Sequence, residues 1–175
     1  FVKMTDEIIK ESKELLDALG IPVISAPGEG EAEAAYLAKH HKVWGAASQD
    51  FDAILYGTPT LIRNLTLARK RKTSSGIYID VNPEMIELEH VLNKLNIGLD
   101  QLICLAIMVG TDYNPGGVKG LGQKRALEIA QKYDSPVEIF GAIKRNDRYE
   151  LDFDWHEIFA HFHRYESEPK EITFK

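Results

Sequence analysis

The alternation of helices with short apolar segments constrains the fold of this chain more than any other feature. Thr5 and Gly20 bound an amphipathic helical pattern, the apolar segment 21–25 follows as a predicted strand, and a second helix is predicted over 29–40. The next apolar segment, 43–48, lacks the alternation of a half-exposed strand and is typical of a buried one. Helices that alternate with buried strands predict a parallel α/β core.

The middle of the chain predicts further strands. Segments 60–66 and 76–81 are typical of two strands that pair with each other around a basic loop. Asn82 then offers a helix N-cap with Pro83 at the first helical position, which predicts a helix from here to about Leu95.

The second half of the chain is predicted to be helical. Apolar spacing predicts helices over 99–109, 123–132 and about 153–163, and Ser135 begins a capping sequence for another helix. A glycine-rich connection occupies 110–122. An α/β region, a helical region, and a final helix with its tail are therefore predicted over 1–97, 98–150 and 151–175.

Composition limits the classes of function. No apolar run approaches the roughly 20 residues of a membrane-spanning helix, so no membrane partner is expected. The one cysteine, Cys104, excludes an internal disulfide and suits a reducing compartment. A net charge of −6 disfavours a nucleic-acid partner, unless many acids form one metal-neutralised cluster that leaves the remaining surface more basic.

Acidic residues follow both predicted strands of the first region. Glu29 and Glu31 come after the first strand, and Asp50 and Asp52 come after the second. Ligands of α/β sheets bind at the carboxyl ends of the strands, so these side chains are expected to lie close together. Asp112 follows a buried-type helix and is a fifth candidate. Oxygen ligands suit Mg²⁺ or Mn²⁺, and two such ions can clamp the attacking and leaving oxygens of a phosphodiester.

The spacing within the first acid pair constrains the local backbone. Positions i and i+2 lie on different faces of a helix but project the same way from extended backbone. Gly28 and Gly30 are therefore expected to hold the chain out of helix until Glu31. Glu33 falls inside the helix and is expected to be solvated or to lie outside the metal ligands. The competing interpretation of this whole stretch is a solvated helix face.

A histidine pair in the last predicted helix resembles a metal motif. The segment HEIFAH at 156–161 is one residue longer than the zinc-protease motif H-E-x-x-H. His156 and His161 stand five positions apart, about 140° around a helix, so they are not expected to share a metal ion.

The glycine-rich connection predicts a second site. Gly120 and Gly122 lie at the turn that opens the next helix, and Lys119, Lys124 and Arg125 surround it. Glycines let backbone amides approach a ligand closely, and a helix N-terminus favours an anion. A helix-hairpin-helix contacts a DNA backbone in this way without reading bases. The alternative explanation of these glycines is a tight corner between two helices.

Taken together, several segments resemble the flap endonuclease family, most closely its archaeal members. The segments are APGEGEAEAAYLA (26–38), ASQDFDAILYG (47–57), LIRNLT (61–66), MVGTDYNPGGVKGLG (108–122) and KRALEI (124–129). The resemblance runs in order through nearly all 175 residues. It implies an α/β 5′-nuclease (PIN-like) core with a mixed, mainly parallel sheet, followed by an all-α helix-two-turn-helix region. It also implies cleavage of 5′ flaps and related branched DNA with two Mg²⁺ ions.

The resemblance assigns roles by position. The acids that match metal-binding and catalytic positions are Glu29, Glu31, Asp50, Asp52 and Asp112. Residues 110–122 match the helix-two-turn-helix, which in the family binds duplex backbone and often holds a K⁺ ion. The implied DNA-binding residues are Gly117, Lys119, Gly120, Gly122, Lys124 and Arg125. Gly117 stands where some relatives have a serine beside that ion.

The resemblance also implies parts that this sequence lacks. These are the family's first strand, two further metal-binding aspartates, the helical arch, and the C-terminal motif that binds a sliding clamp. The chain is therefore expected to be the C-terminal portion of a longer enzyme of DNA replication and repair, and to be inactive alone. An archaeal-like member is expected in the cytoplasm, and a eukaryotic one in the nucleus.

Two alternatives remain open from the sequence. One is a non-catalytic DNA-binding scaffold of the same fold, although a cluster of acids facing phosphates would give a binding module nothing. The other is a related exonuclease or bubble-cutting nuclease, because the absent arch is where the choice of substrate would be encoded.

Overall fold

The computed structural model describes residues 3–65, 70–167 and 172. The helices are α1 (Asp6–Ala18), α2 (Gly30–Lys39), α3 (Asp52–Leu55), α4 (Leu88–Leu95), α5 (Leu99–Val109), α6 (Gln123–Lys132), α7 (Pro136–Lys144) and α8 (Trp155–His163). The strands are β1 (Ala46–Ala47), β2 (Thr60–Arg63), β3 (Lys70–Lys72), β4 (Tyr78–Asp80) and β5 (Glu84–Glu87).

The central sheet is mixed and has the order β1–β2–β5. Strands β1 and β2 are parallel, with Ala46 opposite Leu61, whereas β5 runs antiparallel to β2, with Ile86 opposite Leu61. Strands β3 and β4 form a separate antiparallel pair. Leu61 is fully buried, so β2 is the strand that anchors this sheet to the core.

Of the two strands predicted at the start of the chain, the first is absent from the described residues and the second is much shorter than predicted. Segment 21–25 belongs to no strand of the described residues, and Ile21 and Val23 are exposed. A strand requires a hydrogen-bonded neighbour, and its apolar composition alone does not supply one. The strand predicted over 43–48 is reduced to Ala46–Ala47, because Trp44 points into solvent with 71% of its surface exposed.

The predicted pairing in the middle of the chain is also wrong. Segment 76–81 contains β4, which pairs with Lys70–Lys72 and not with β2. The helix predicted from Asn82 begins only at Leu88, because Glu84–Glu87 is instead hydrogen-bonded along β2. The basic loop was predicted over 67–75; part of it is strand, and 66–69 lie outside the described residues.

Two helix starts with side-chain caps are where the sequence predicted them. The Thr5 hydroxyl accepts a hydrogen bond from the Ile8 amide at 3.3 Å, and the Ser135 hydroxyl accepts one from the Glu138 amide. Helices α5 and α6 have the predicted bounds. Caps of this kind satisfy amides that a helix leaves unpaired at its start.

Helix α5 is the centre of the hydrophobic core. Its residues Ile103, Ile107 and Met108 are fully buried, and α5 packs against α3, α6, α7 and α8. The connected core extends from Ala32 to Phe162, and so it crosses the division predicted near residue 97. The core thus does not separate the first two predicted regions, and the division into 1–97, 98–150 and 151–175 stays a prediction.

One glutamine closes the open end of the α5–α6 pair. Gln101 Oε1 accepts a hydrogen bond from the Gly98 amide at 2.6 Å. Its Nε2 donates to the carbonyl oxygens of Ala130 and Tyr133, at 2.8 and 3.0 Å, where α6 ends. A single side chain thus satisfies backbone groups at the start of one helix and at the end of the next.

Burial also accounts for the single cysteine. Cys104 lies on α5 with no exposed surface, and this burial raises the pKa of its thiol to about 12.

In the part of the chain that the structure describes, no single helix is long and apolar enough to cross a membrane. Helices α4 and α5 together would have the length and composition, with a 76° bend between them.

Candidate functional site

Five acids, here called the acid cluster, surround the start of α3: Glu29, Glu31, Asp50, Asp52 and Asp112. Asp52 is the first residue of α3, and the charges of the other four acids act on its carboxyl group. Burial, and then the negative charges of Glu31, Asp112, Glu29 and Asp50, raise the pKa of Asp52. The acids that the sequence predicted on separate elements thus share one electrostatic environment, and they repel one another in the absence of a cation.

The acid cluster does not form a ready-made ligand cage. Among the described residues, no group of three or more His, Cys, Asp or Glu side chains is arranged to hold a metal ion. Hydrogen bonds from neighbouring hydroxyl groups already occupy oxygens of Glu29 and Glu31. The donor set nevertheless consists of carboxylates, which fit Mg²⁺ or Mn²⁺ and not zinc.

The backbone of the first acid pair differs from the prediction. Glu29 is extended and is the N-cap of α2, but the helix begins at Gly30, so Glu31 is already helical. An added Cβ at Gly28 or Gly30 would meet nothing within 4 Å, so neither glycine is required sterically. The expectation that these two glycines keep Glu31 out of the helix is therefore wrong: a single extended residue at the N-cap turns the chain into α2.

Ser48 joins the two acid pairs. Its hydroxyl donates a short hydrogen bond to a carboxylate oxygen of Glu31 and accepts one from the Asp50 amide at 3.1 Å. It follows β1 directly, whose last residue is Ala47. One hydroxyl group at a strand end thus fixes the distance between the start of α2 and the turn that carries Asp50.

Two tyrosines hold the carboxylate of Glu29. The Tyr56 hydroxyl donates to Oε2 at 3.0 Å, and the Tyr113 hydroxyl donates to Oε1 in a short hydrogen bond. Both hydroxyl oxygens also lie within hydrogen-bond distance of His161 Nε2. Burial above all, and then the neighbouring Tyr113 hydroxyl and the Glu29 carboxylate, raise the pKa of Tyr56 well above its usual range. Tyr56 therefore remains protonated at neutral pH and can donate.

The loop that carries Asp112 is fixed by a buried asparagine. The Oδ1 atom of Asn114 accepts hydrogen bonds from the amide and the hydroxyl of Thr111, at 3.2 and 2.7 Å. Its Nδ2 donates to the carbonyl oxygen of Ile107 at 2.7 Å. Asn114 thereby ties the loop back to α5 and sets where Asp112 and Tyr113 stand.

Glu33 is buried, contrary to the solvated position that was one of its two predicted placements. Only 3% of its surface is exposed, and the Tyr165 hydroxyl donates to its Oε2 atom at 3.0 Å. Burial and this hydrogen bond raise the pKa of Tyr165 to about 12. Glu33 therefore anchors the segment after α8 onto α2.

In the glycine-rich connection, two of the predicted DNA-binding glycines are required by crowding. Gly117 has a φ of +60°, and an added Cβ would lie 2.4 Å from the Met108 carbonyl oxygen. Gly120 has a φ of +80°, and its Cβ would lie 2.5 Å from the Arg148 carbonyl oxygen. The tight corner that was left open as an alternative for Gly120 and Gly122 accounts for Gly120 but not for Gly122, where an added Cβ would meet nothing within 4 Å.

The basic residues near the connection differ in their surroundings. The Lys119 ammonium group lies 2.7 Å from an oxygen of Asp152 and 3.3 Å from one of Glu150, so its charge is largely matched. Lys124 and Arg125 lie exposed in the first turn of α6. Gly122 is the extended N-cap, and no side chain caps the helix in the described structure. The positive end of α6 therefore faces outward beside two cationic side chains.

Sequence reasoning missed the residues that hold the acids in place. Tyr113 follows Asp112 directly and Ser48 ends a strand, so adjacency to predicted ligands was an available signal. Asn114 stands three positions after Thr111, a spacing at which polar side chains commonly bond to a turn. No local signal identifies Tyr56 or His161, because their contact joins positions 105 residues apart.

A family model described as XPG I-region matches residues 20–112, which is slightly more than half of the chain and includes the whole acid cluster. The chain belongs to this family. Its XPG I-region therefore contains every acid that the sequence singled out, together with Ser48 and Tyr56, and ends just before Tyr113.

Comparison with known members sharpens this assignment. Flap endonuclease 1 of Sulfolobus acidocaldarius is 50% identical over 160 residues, which cover 90% of this chain and 45% of that protein. The structure of flap endonuclease-1 from Methanococcus jannaschii is 42% identical with a TM-score of 0.74, over 91% of this chain and 44% of that one. The resemblance to flap endonucleases is thus confirmed, and so is the α/β fold class.

A more distant member has a similar fold. The structure of human GEN1 in complex with Holliday junction DNA is 29% identical with a TM-score of 0.75, over 97% of this chain and 44% of that one. The present chain spans less than half the length of the curated relatives it matches.

Proposed function

We propose that this chain is part of a metal-dependent, structure-specific 5′ nuclease that hydrolyses phosphodiester bonds at 5′ flaps and related branches in DNA. The observation that carries this proposal is the acid cluster, in which burial and then the charges of four neighbouring carboxylates raise the pKa of Asp52. Such repulsion destabilises a fold unless a cation or a positively charged partner compensates for it. Two relatives, both named flap endonuclease 1, are 50% and 47% identical to this chain and support the choice of reaction.

The proposed cofactor is a pair of Mg²⁺ ions, with Mn²⁺ as a substitute. Residues of the acid cluster would hold them, and the ions would supply the charge that stabilises the attacking and leaving oxygens. Within this chain, Ser48, Tyr56 and Tyr113 orient the carboxylates. We further propose that the 175 residues alone do not cleave DNA, because the resemblance to flap endonucleases implies two further metal-binding aspartates in an upstream segment.

The proposed DNA-backbone contact is the first turn of α6. Gly122 leaves the helix amides accessible, and Lys124 and Arg125 flank them without neighbouring acids in that turn. Lys119 contributes less because Glu150 and Asp152 already neutralise it. If a K⁺ ion binds in the connection, Gly117 can offer it only a backbone atom, since this residue has neither a side chain nor room for one.

The choice of DNA substrate favours 5′ flaps over junctions. The TM-scores to flap endonuclease-1 and to human GEN1 are nearly equal, so the fold itself does not discriminate between their substrates. The higher sequence identity to flap endonuclease-1, 42% against 29% to GEN1, supports the flap. Exonuclease and bubble-cutting activities remain secondary candidates, and a sliding clamp remains the proposed protein partner. The proposed location is the cytoplasm, or the nucleus if the source is eukaryotic.

The test uses the full-length protein with a labelled 5′-flap DNA. Asp52→Asn removes one charge at nearly constant shape, and we expect cleavage to fall by roughly 100-fold or more, beyond what outer partners of a metal ligand usually contribute. Flap binding, measured in Ca²⁺ by anisotropy, should not weaken. Asp80→Asn, an exposed acid on β4, is the matched control and should cleave normally.

Two outcomes would contradict the proposed function. A parent protein that binds flaps but does not cut them with Mg²⁺ or Mn²⁺ would favour the non-catalytic scaffold. Cleavage of Holliday junctions or bubbles in preference to flaps would keep the chemistry and reject the substrate.

A further inference from the structure

Helix α8 carries a histidine that reaches the acid cluster from the far end of the chain. His161 Nε2 lies 2.8 Å from the Tyr56 hydroxyl oxygen and 2.5 Å from that of Tyr113. The His161 ring packs edge-on against Tyr56 and lies 4.3 Å, centroid to centroid, from the Tyr113 ring. His161 therefore contacts both of the phenols that donate to Glu29.

The hydrogen atoms of this group can be assigned by counting. Each phenol carries one hydrogen, and a carboxylate oxygen only accepts. If both phenols donate to Glu29, neither has a hydrogen left for His161. Their contacts with Nε2 are then hydrogen bonds only where Nε2 carries the hydrogen and the phenol oxygens accept it, sharing a single N–H.

We propose that His161 is a positioning residue for Glu29: its Nε2–H anchors the oxygens of Tyr56 and Tyr113, so that both phenol hydrogens remain directed at the carboxylate. The effect on catalysis rests on the proposed function, whereas the placement of the hydrogen does not. The spacing of His161 from His156 argued only against a metal ion shared by the two histidines, and the proposal gives His161 a different role.

The physical effect is to fix the orientation of a carboxylate that faces other acids. Without an N–H donor, each phenol could rotate its hydrogen toward His161 or solvent, and Glu29 would lose a donor while it still experiences its neighbours' charge. Groups that orient a metal ligand in this way typically change metal affinity or activity by about 10- to 100-fold when they are removed. Loss of His161 should therefore weaken metal binding more than it weakens DNA binding.

The first experiment determines the hydrogen directly. Full-length protein labelled with ¹⁵N-histidine is examined by long-range ¹H–¹⁵N correlation, with His161→Gln used to assign the resonance. We expect Nε2 of His161 to be protonated, either in the neutral ring or in the imidazolium. An Nε2 without a hydrogen, with Nδ1 protonated, would overturn the proposal whatever the protein cleaves.

The second experiment tests the consequence with three variants of the full-length protein. His161→Leu removes the donor, His161→Gln keeps an N–H at similar reach, and His163→Leu is the control. His163 lies on the same helix and pairs with Asp100. The measurements are the Mg²⁺ concentration for half-maximal thermal stabilisation, the same concentration for flap cleavage, and KM for flap DNA.

We expect His161→Leu to raise both half-saturating Mg²⁺ concentrations by about tenfold with KM unchanged. His161→Gln should recover most of this loss, and His163→Leu should match the parent. A His161→Leu protein with a lower melting temperature but the parent's Mg²⁺ dependence would have lost only packing, and the proposal would be wrong. Equal defects in His161→Leu and His161→Gln would also reject the donor role.

Tyr113→Phe provides a second test of the proposal in case the histidine variants do not fold. Tyr113 is partly exposed, and its hydroxyl touches both Glu29 and His161. We expect Tyr113→Phe to raise the half-saturating Mg²⁺ concentration, and adding His161→Leu to it to cost less than His161→Leu costs alone. Full additivity would overturn the proposal. If the parent neither binds Mg²⁺ nor cuts flaps, the proposed function fails, and the ¹⁵N result still decides the role of His161.

Discussion

The acid cluster and the glycine-rich connection 110–122 are held in place by different means. Side-chain hydroxyls from distant parts of the chain, among them Ser48 and Tyr56, orient the acids. In the connection, backbone atoms approach so closely at Gly117 and Gly120 that no side chain fits. The first region can therefore lose one hydrogen bond and keep its fold, whereas the second should not accept even a methyl group at Gly117 or Gly120.

The strongest test of this difference is Gly117→Ala in the full-length protein. The new Cβ would lie 2.4 Å from the Met108 carbonyl oxygen, at a φ of +60° that disfavours alanine. We expect the free energy of unfolding to fall by about 3 kcal/mol or more, measured by urea denaturation. Gly122→Ala is the control, because its position is open, and should cost under about 1 kcal/mol. Equal losses in the two variants would erase the contrast.

The next effect concerns what the connection presents to DNA. Replacing both Lys124 and Arg125 by alanine should weaken duplex binding by about tenfold and reduce the slope of log K against log salt by one or two. Fluorescence anisotropy across a salt series measures both quantities. Lys119→Ala should change the slope less, since Glu150 and Asp152 already neutralise that lysine. A larger effect of Lys119→Ala would show that the ion pairs open when DNA binds.

The smallest expected effect concerns the repulsion among the acids. The pKa of Asp52 is raised in the folded protein, so the folded state binds a proton more readily than the unfolded state. Ionised Asp52 therefore lowers the free energy of unfolding at neutral pH, and this loss fades as the pH falls toward 3.8, the usual carboxyl value. In metal-free protein at pH 7, Asp52→Asn should gain less than about 1 kcal/mol, since the group is partly solvated.

The matching measurement is urea denaturation at pH 7 and near pH 4.5, with and without Mg²⁺. The gain from Asp52→Asn should shrink at the lower pH. With Mg²⁺ the sign should reverse, because bound metal stabilises the parent by mass action. Asp80→Asn, outside the cluster, should show neither change. A loss of stability in the metal-free variant would mean that burial and neighbouring charges do not destabilise ionised Asp52.

The parts of the fold that sequence could predict are those set by local rules. Apolar spacing and flanking glycines fixed the bounds of α5, and Ser135 marked the start of α7. The strand prediction for segment 21–25 was wrong because an apolar composition suits a strand but cannot specify a neighbouring strand to pair with. The helix prediction for Glu84–Glu87 was wrong because hydrogen bonding to β2 outweighed the local helix signal at Pro83.

The same distinction applies to the candidate site. Asp50, Asp52 and Asp112 were predictable because each follows an element whose end could be located along the chain. Glu29 and Glu31 were placed after a strand over 21–25 that the described structure does not contain. The partners of the acids were not predictable, since Tyr56 and His161 meet only after α8 packs onto the core. The DNA-binding role of Gly117 and Gly120 stays a prediction. The sequence did not predict that contacts with Met108 and Arg148 leave no room for a side chain at these two positions.

Gln101 has a consequence for where such an enzyme would cut. The α5–α6 hairpin is closed by the connection at one end and by Gln101 at the other, so its two helices should move as a single unit. Asp112 and the first turn of α6 then keep a constant separation. A duplex seated on that turn would present its strand to the acids at the same number of nucleotides from the contact in every complex. The hairpin would thus serve as a ruler, and the position of incision would follow from its dimensions and not from the base sequence.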